Sequence, residues 1–151
     1  MEQRPPSTGP FLQMAVLCEK VLQEADGVSS IIRVVDRIVS TAAGPEVPAS
    51  MPPLQVNLTL ALMFKSGTAQ GRSTLTVRPQ TPAGIDMPEF SVPVLFEGGD
   101  RGVNVFGNLV FQAEAEGVYW ITVLLDGEAV TQVPLRILYQ PMQTGYQGSQ
   151  S

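Results

Sequence analysis

The sequence contains no histidine and a single cysteine, Cys18. Without histidine, the Ser-His and Cys-His pairs that activate nucleophiles cannot form, and almost all zinc sites are excluded too. A lone cysteine forms no intramolecular disulfide, and we interpret Cys18 as a small buried side chain. These absences remove most catalytic chemistry, and we predict a protein that is not an enzyme and uses no metal or cofactor.

Charge is also scarce, because charged residues make up only 15% of the 151 residues. The net charge is −5, only two of the nine basic residues are lysines, and no basic cluster occurs. Binding to nucleic acid requires several cations on one face, and binding to an anionic membrane surface likewise requires a cluster of basic residues. We therefore predict neither nucleic acid nor membrane as a partner.

Long apolar runs are missing as well. No run approaches the 18 residues that span a bilayer. The run at residues 11–18 is short and interrupted by Gln13, and Leu17 stands where a lipoprotein signal needs a small residue. We read no export signal, which together with the lone cysteine predicts a cytoplasmic protein.

Hydrophobic residues make up 44% of the chain, which suffices for one folded domain of this length. The polar, proline-rich residues 1–10 predict a flexible N-terminal arm. The uncharged residues 141–151 predict a disordered C-terminal tail. The folded domain is then expected at residues 11–140.

The clearest pattern lies at residues 54–65, LQVNLTLALMFK, where every second residue from Leu54 to Phe64 is large and apolar. This period of two predicts a strand with one buried face. The turn-forming residues 66–71 predict a loop, and the β-branched residues 72–77 predict the returning strand.

Further strands are predicted at residues 90–96 and 103–113, with a tight turn at GGDRG between them. Pro93 cannot donate a ladder hydrogen bond, so the strand around it should lie at an edge or contain a bulge. Many short strands separated by turn residues indicate an all-β fold. We predict an antiparallel β-sandwich of about seven to nine strands.

The first third of the chain is ambiguous. Apolar residues from Met14 to Ala25 recur at helical spacing, which favours an α+β fold with a helical hairpin at 12–39. In contrast, residues 28–39 include seven β-branched aliphatic residues, and the Asp26-Gly27 pair between apolar runs is typical of a β-hairpin.

Two segments carry a resemblance to a known family: AVLCEKVLQEADGVSSIIRVVDRI near the start and GVYWITVLLDGEAVTQVPLRI near the end. They resemble an uncharacterised bacterial family of small all-β domains, over about residues 15–40 and 104–138. The resemblance implies an immunoglobulin-like sandwich with a hairpin in the first third, and it implies no activity.

The closing hairpin raises a question of register. Gly117-Val118-Tyr119 resembles the tyrosine corner of immunoglobulin-like sandwiches, which would place Tyr119 in the core. A strict two-residue turn at Asp126-Gly127 pairs Tyr119 with Pro134. The apolar positions of the last strand are Val133, Leu135 and Ile137, so Tyr119 would then stand opposite a residue of the outward face. A three-residue turn or a bulge near Pro134 would correct the phase; otherwise Trp120 points inward.

With Tyr119 in the core, one apolar face remains outside. If strands 103–113 and 118–125 are neighbours, that face carries Trp120, Leu124, Phe106 and Val110, a patch of the size that often marks a contact site. The arm, the tail or the loop at 44–53 could cover it instead. We predict an interaction or structural module that binds an unknown protein partner or a second copy of itself. The alternative is a sandwich that binds a small ligand or carbohydrate through end loops near Asp100 and Arg101.

Overall fold

The computed structural model describes residues 9–143. Within them the chain forms seven strands: β1 (Phe11–Gln23), β2 (Ser29–Val34), β3 (Arg37–Gly44), β4 (Leu54–Gln80), β5 (Phe90–Ala113), β6 (Gly117–Leu125) and β7 (Glu128–Gln143). No helix in this part of the chain is long and apolar enough to cross a membrane.

Strand β5 pairs with β4 along its whole length, from Leu54 opposite Ala113 to Val77 opposite Phe90, and both strands run through the two layers of the fold. The first half of β4 also pairs with β1, which pairs with β2. The second half of β4 pairs with β6, followed by β7 and β3. The first layer therefore has the order β2-β1-β4-β5, and the second layer has the order β5-β4-β6-β7-β3.

The chain does not reverse at residues 66–71, so the predicted loop and returning strand are wrong there. Both β4 and β5 continue through a corner, where the register shifts between Lys65 and Gln70. On the β5 side, Gly98 and Gly99 have φ angles of 87° and 64°, a region that favours glycine. Glycines at this corner bend a continuous strand, and the sequence pattern does not distinguish such a bend from a turn.

A buried serine ties the two strands together at this corner. The Ser66 side chain is fully buried; its hydroxyl donates to the carbonyl oxygen of Arg101 at 2.9 Å and accepts from the backbone N–H of Glu97 at 3.3 Å. Because both hydrogen-bonding functions of the hydroxyl are used, its burial carries no unsatisfied polar group.

The first third of the chain is β-structure, and the helical alternative at 12–39 is wrong. Strands β1 and β2 form the antiparallel hairpin, with Gln23 opposite Ser29 and the Asp26-Gly27 pair in its loop. The Asp26 carboxylate accepts the backbone N–H of Val28 at 3.0 Å, as Asp often does in turns. The helical spacing was outweighed by the β-branched residues and by pairing with β4.

The pairing of β3 with β7 is parallel, which the prediction of a purely antiparallel sandwich did not include. After β2 the chain crosses from the first layer to the second and enters β3 at Arg37. The remaining pairs are antiparallel, so the all-β sandwich of seven strands confirms the predicted fold class.

One hydrophobic core lies between the two layers. The predicted alternation in β4 is confirmed, because the side chains from Val56 to Phe64 at every second position are buried. The Phe64 ring from the first layer lies 5.9 Å from the Phe96 ring of the second layer. Cys18 is also buried, as predicted, and desolvation raises the pKa of its thiol, which disfavours the reactive thiolate.

In the closing hairpin, Tyr119 is the inward residue and Trp120 points outward. The Tyr119 hydroxyl donates to the backbone oxygen of Ala115 at 2.7 Å, which confirms the tyrosine corner. The predicted bulge exists, but it lies at Val130: Leu124 is opposite Ala129, whereas Val123 is opposite Thr131.

Pro93 lies in an edge strand, as predicted. It stands opposite Thr74, and in the described part of the chain β5 pairs with β4 alone. The predicted arm and tail fall mostly outside the described residues. Strand β7 includes residues 141–143, which the sequence analysis placed in the tail.

Candidate binding face around Trp120

The structure does not bring the four predicted contact residues onto one face. Trp120 and Leu124 lie on β6, an inner strand of the second layer. Phe106 and Val110 lie on the part of β5 that forms the edge strand of the first layer. Strand β6 pairs with β4 and β7, not with β5, because β4 lies between β5 and β6 in the second layer.

The four residues also differ in exposure. Trp120 is 42% exposed and Val110 is 54% exposed, whereas Phe106 is half-buried. Leu124 is only 7% exposed and so offers little surface for contact. The apolar surface on β6 is therefore smaller than predicted and is centred on Trp120. The predicted roles of these residues in binding stay predictions.

The outer face of the second layer divides into two halves. On the half formed by β4 and β5, side chains pair with one another across the strands and the adjoining loop: Thr76 with Ser91 at 2.9 Å, Arg78 with Glu89 at 2.8 Å and Gln80 with Asp86 at 2.8 Å. Because these polar groups already have partners, this half offers few unpaired groups to another molecule.

The half formed by β6, β7 and the start of β3 is different. It contains an open depression of about 560 Å³, lined by Asp36, Arg37, Val118, Trp120, Pro134 and Arg136. We call this feature the Trp120 depression. Arg37 and Arg136 are register partners on neighbouring strands. Among residues 9–143, neither arginine has a carboxylate within 4.0 Å.

Strand alternation explains why these side chains share a face. Leu135 and Ile137 are fully buried, so Arg136 between them points outward. Tyr119 and Ile121 are buried in the same way on either side of Trp120. The parallel pairing of β3 with β7 then adds Arg37 beside Arg136.

The sequence pattern predicted Trp120 as a contact residue but did not predict the two arginines. The outward direction of Arg136 could be read from its apolar neighbours, Leu135 and Ile137. The position of Arg37 could not, because it depends on a parallel pairing between strands almost 100 residues apart in sequence. Alternation gives the face on which a side chain lies but not the neighbouring strand.

The candidate ligand residues Asp100 and Arg101 lie at the corner of β4 and β5, within a continuous strand and not in an end loop. The Arg101 guanidinium pairs with Glu97 at 3.0 Å, and Lys65 donates to the backbone oxygen of Asp100 at 3.0 Å. Across the described residues, no three acidic or cysteine side chains cluster as metal ligands do.

Comparison with known proteins gives a family and a structural neighbour. The chain is similar to an immunoglobulin-like protein from Pseudomonas aeruginosa, with 11% identity and a TM-score of 0.38 over 85% of this chain and 96% of that one. No curated protein matches. A family model matches residues 13–138, which include both segments that carry the resemblance described above. The chain therefore belongs to the family described as "Family of unknown function (DUF6941)".

Proposed function

We propose that the protein is a non-enzymatic interaction module that binds a partner protein through the Trp120 depression. The observation that supports this is the 42% exposure of the only tryptophan in the chain, beside two arginines that pair with no carboxylate in the described part of the chain. Tryptophan and arginine are among the residues most enriched where binding energy concentrates in protein interfaces.

The surroundings of Trp120 suit this role. Val118 and Pro134 supply apolar surface next to the indole, and the arginines form a polar rim. An apolar centre with a polar border is the usual anatomy of a protein interface. Complete burial of one large apolar side chain contributes about 1.5–3 kcal/mol, so burying the exposed part of Trp120 together with its apolar neighbours would contribute a few kcal/mol.

The proposal is tested with a random dodecapeptide library displayed on phage, selected on the immobilised full chain. Selected peptides are synthesised without tryptophan, so that the emission of Trp120 alone reports their binding. We expect Trp120→Ala to weaken binding at least tenfold, measured by fluorescence polarisation with labelled peptides.

The matched control is Ile85→Ala, which removes another exposed apolar side chain, in the loop after β4. It should leave peptide binding unchanged. If the selected peptides bind Trp120→Ala as tightly as the wild-type chain, the Trp120 depression is not the binding face and the proposal fails.

A second candidate role is self-association through the edge of β5 that pairs with no other strand in the described part of the chain. Charged residues and proline commonly protect an edge strand from pairing with another chain, and residues 103–113 contain neither. An antiparallel pair of two such edges centred on Asn108 would place Phe106 of one copy opposite Val110 of the other, and Asn104 opposite Gln112. This register keeps the inward and outward faces of both strands matched.

Light scattering tests the second role. We expect the wild-type chain to have twice the mass of one chain at high concentration, and Val110→Lys to have the mass of a monomer, because a lysine on the edge opposes pairing. Leu95→Lys is the control, since Leu95 is exposed to a similar extent on the other half of β5. A monomeric wild-type chain at high concentration would contradict this role.

The alternative of ligand binding at Asp100 and Arg101 gains no comparable support. Arg101 is already paired with Glu97, and the backbone oxygen of Asp100 already accepts from Lys65.

A further inference from the structure

We infer that the partner of the Trp120 depression presents an acidic segment, whose carboxylates pair with Arg37 and Arg136 while an adjacent apolar side chain packs against Trp120. This inference rests on the proposed function and specifies the chemistry of the partner.

The two arginines lie side by side, an arrangement that is unfavourable when no negative charge is bound. They are register partners on neighbouring strands, and like charges directly opposite each other in a sheet are destabilising. Elsewhere in the described residues, Arg33, Arg78 and Arg101 each pair with a glutamate, at 2.8 Å, 2.8 Å and 3.0 Å, whereas Arg72 has no carboxylate within 4.0 Å. Unlike Arg72, which stands opposite Leu95, Arg37 and Arg136 combine the absence of a carboxylate partner with a second positive charge on the neighbouring strand.

Two carboxylates on this face already have other partners, and a third lies too far from the arginines to pair with them. On the same outer face, Glu89 pairs with Arg78, and Asp86 accepts from Gln80. Asp36 lines the depression, yet its carboxylate lies more than 4.0 Å from both arginines. The depression therefore holds two positive charges and one negative charge, in a chain whose net charge is −5.

The balance of charge selects the class of partner. A net surplus of one positive charge suits one or two carboxylates, because planar guanidinium groups bind carboxylates bidentately. A polyanion such as nucleic acid requires several cations on one face and would be repelled by the rest of this chain. A small free ligand would stay largely exposed in so open a depression, whereas ligand sites bury most of a ligand's surface.

The geometry also indicates what accompanies the carboxylates. Trp120 and Val118 lie on β6, one strand from Arg136 and two strands from Arg37. An extended segment laid across these strands can place acidic side chains over β7 and β3 and an apolar side chain over β6, since neighbouring strands are about 4.8 Å apart. The expected partner sequence thus combines Asp or Glu with an apolar residue within a few positions.

The same phage library tests this inference, with selection in 50 mM NaCl on the wild-type chain. We expect selected peptides to be enriched in Asp and Glu next to apolar residues. Arg37→Gln/Arg136→Gln should weaken their binding at least tenfold, and raising the salt to 500 mM should weaken binding to the wild-type chain. Arg101→Gln is the matched control, because it removes an arginine that already has a partner.

The outcomes separate this inference from the proposed function. Peptides that depend on Trp120 but are not acidic, or that ignore the arginine substitutions, overturn the inference and leave the proposed function standing. If no peptide depends on Trp120, or none is selected, both fail. In the absence of peptide, Arg136→Gln should leave Tm unchanged or slightly raised, since it removes one of two positive charges on register partners. A fall of several degrees would overturn the inference by giving Arg136 a structural role.

Discussion

Replacing Phe96 with alanine is expected to lower the free energy of unfolding by about 3–5 kcal/mol. Phe96 is 1% exposed and lies next to the corner of β4 and β5. Its ring is 5.9 Å from that of Phe64, with a tilt of 52° between the ring planes. Because one ring comes from each layer, the truncation would remove a contact that holds the layers together and would leave a cavity between them.

Urea denaturation measured by circular dichroism would give the size of this effect, and Phe11→Ala provides the control. Phe11 begins β1 and is 40% exposed, so its loss should cost less than about 1 kcal/mol. If Phe96→Ala costs no more than Phe11→Ala, the two layers do not depend on the aromatic pair at the corner, and the described core is wrong there.

The sequence predicted strands well where one face is buried and the other is not. Residues 54–65 alternate because they lie between the core and the outside, and the same holds for Tyr119, Trp120 and Ile121 in β6. The hairpin at Asp26-Gly27 was recognisable because its turn residues and its β-branched strand favour the same structure.

The corners and the strand order were not predictable in the same way. Serine and glycine at 66–71 and glycine at 98 and 99 are typical both of a reversal and of a bend in a continuous strand, and only pairing along the whole of β4 and β5 distinguishes them. The bulge at Val130 was required by the phase of Tyr119 and Leu135, but its position within the hairpin depends on side-chain packing that alternation does not report.

The candidate site, too, was only partly predictable from the sequence. The outward direction of Trp120 follows from its neighbours, whereas its grouping with Arg37 depends on the parallel pairing of β3 and β7. The expected grouping with Phe106 assumed that strands close in sequence are neighbours in the sheet. Strand β4 lies between β5 and β6 and removes that adjacency.

Gly117→Ala is the second substitution for which we expect a large loss of stability, about 2–6 kcal/mol. Gly117 has a φ angle of 132°, where a residue with a side chain is strained by about 1–3 kcal/mol. A Cβ atom there would also lie 2.7 Å from the Cβ and 2.8 Å from the Cγ of Pro82, and overpacking of this kind typically costs about 1–3 kcal/mol. Gly117 sits two residues before Tyr119, so the strain would act directly on the tyrosine corner.

Two further variants divide this loss between its causes. Gly71→Ala has a comparable φ angle of 110° and no atom within 4 Å of the added Cβ, so it should cost only the backbone strain. Combining Gly117→Ala with Pro82→Gly should recover the steric part, measured as a coupling free energy in a double-mutant cycle of urea denaturation. Equal losses for Gly117→Ala and Gly71→Ala, without coupling to Pro82, would mean that the loop after β4 does not pack against the start of β6. Because Tyr119, Ile121 and the outward Trp120 all follow Gly117 on the same strand, the contact with Pro82 helps to fix which residues of β6 face the core and which face a partner.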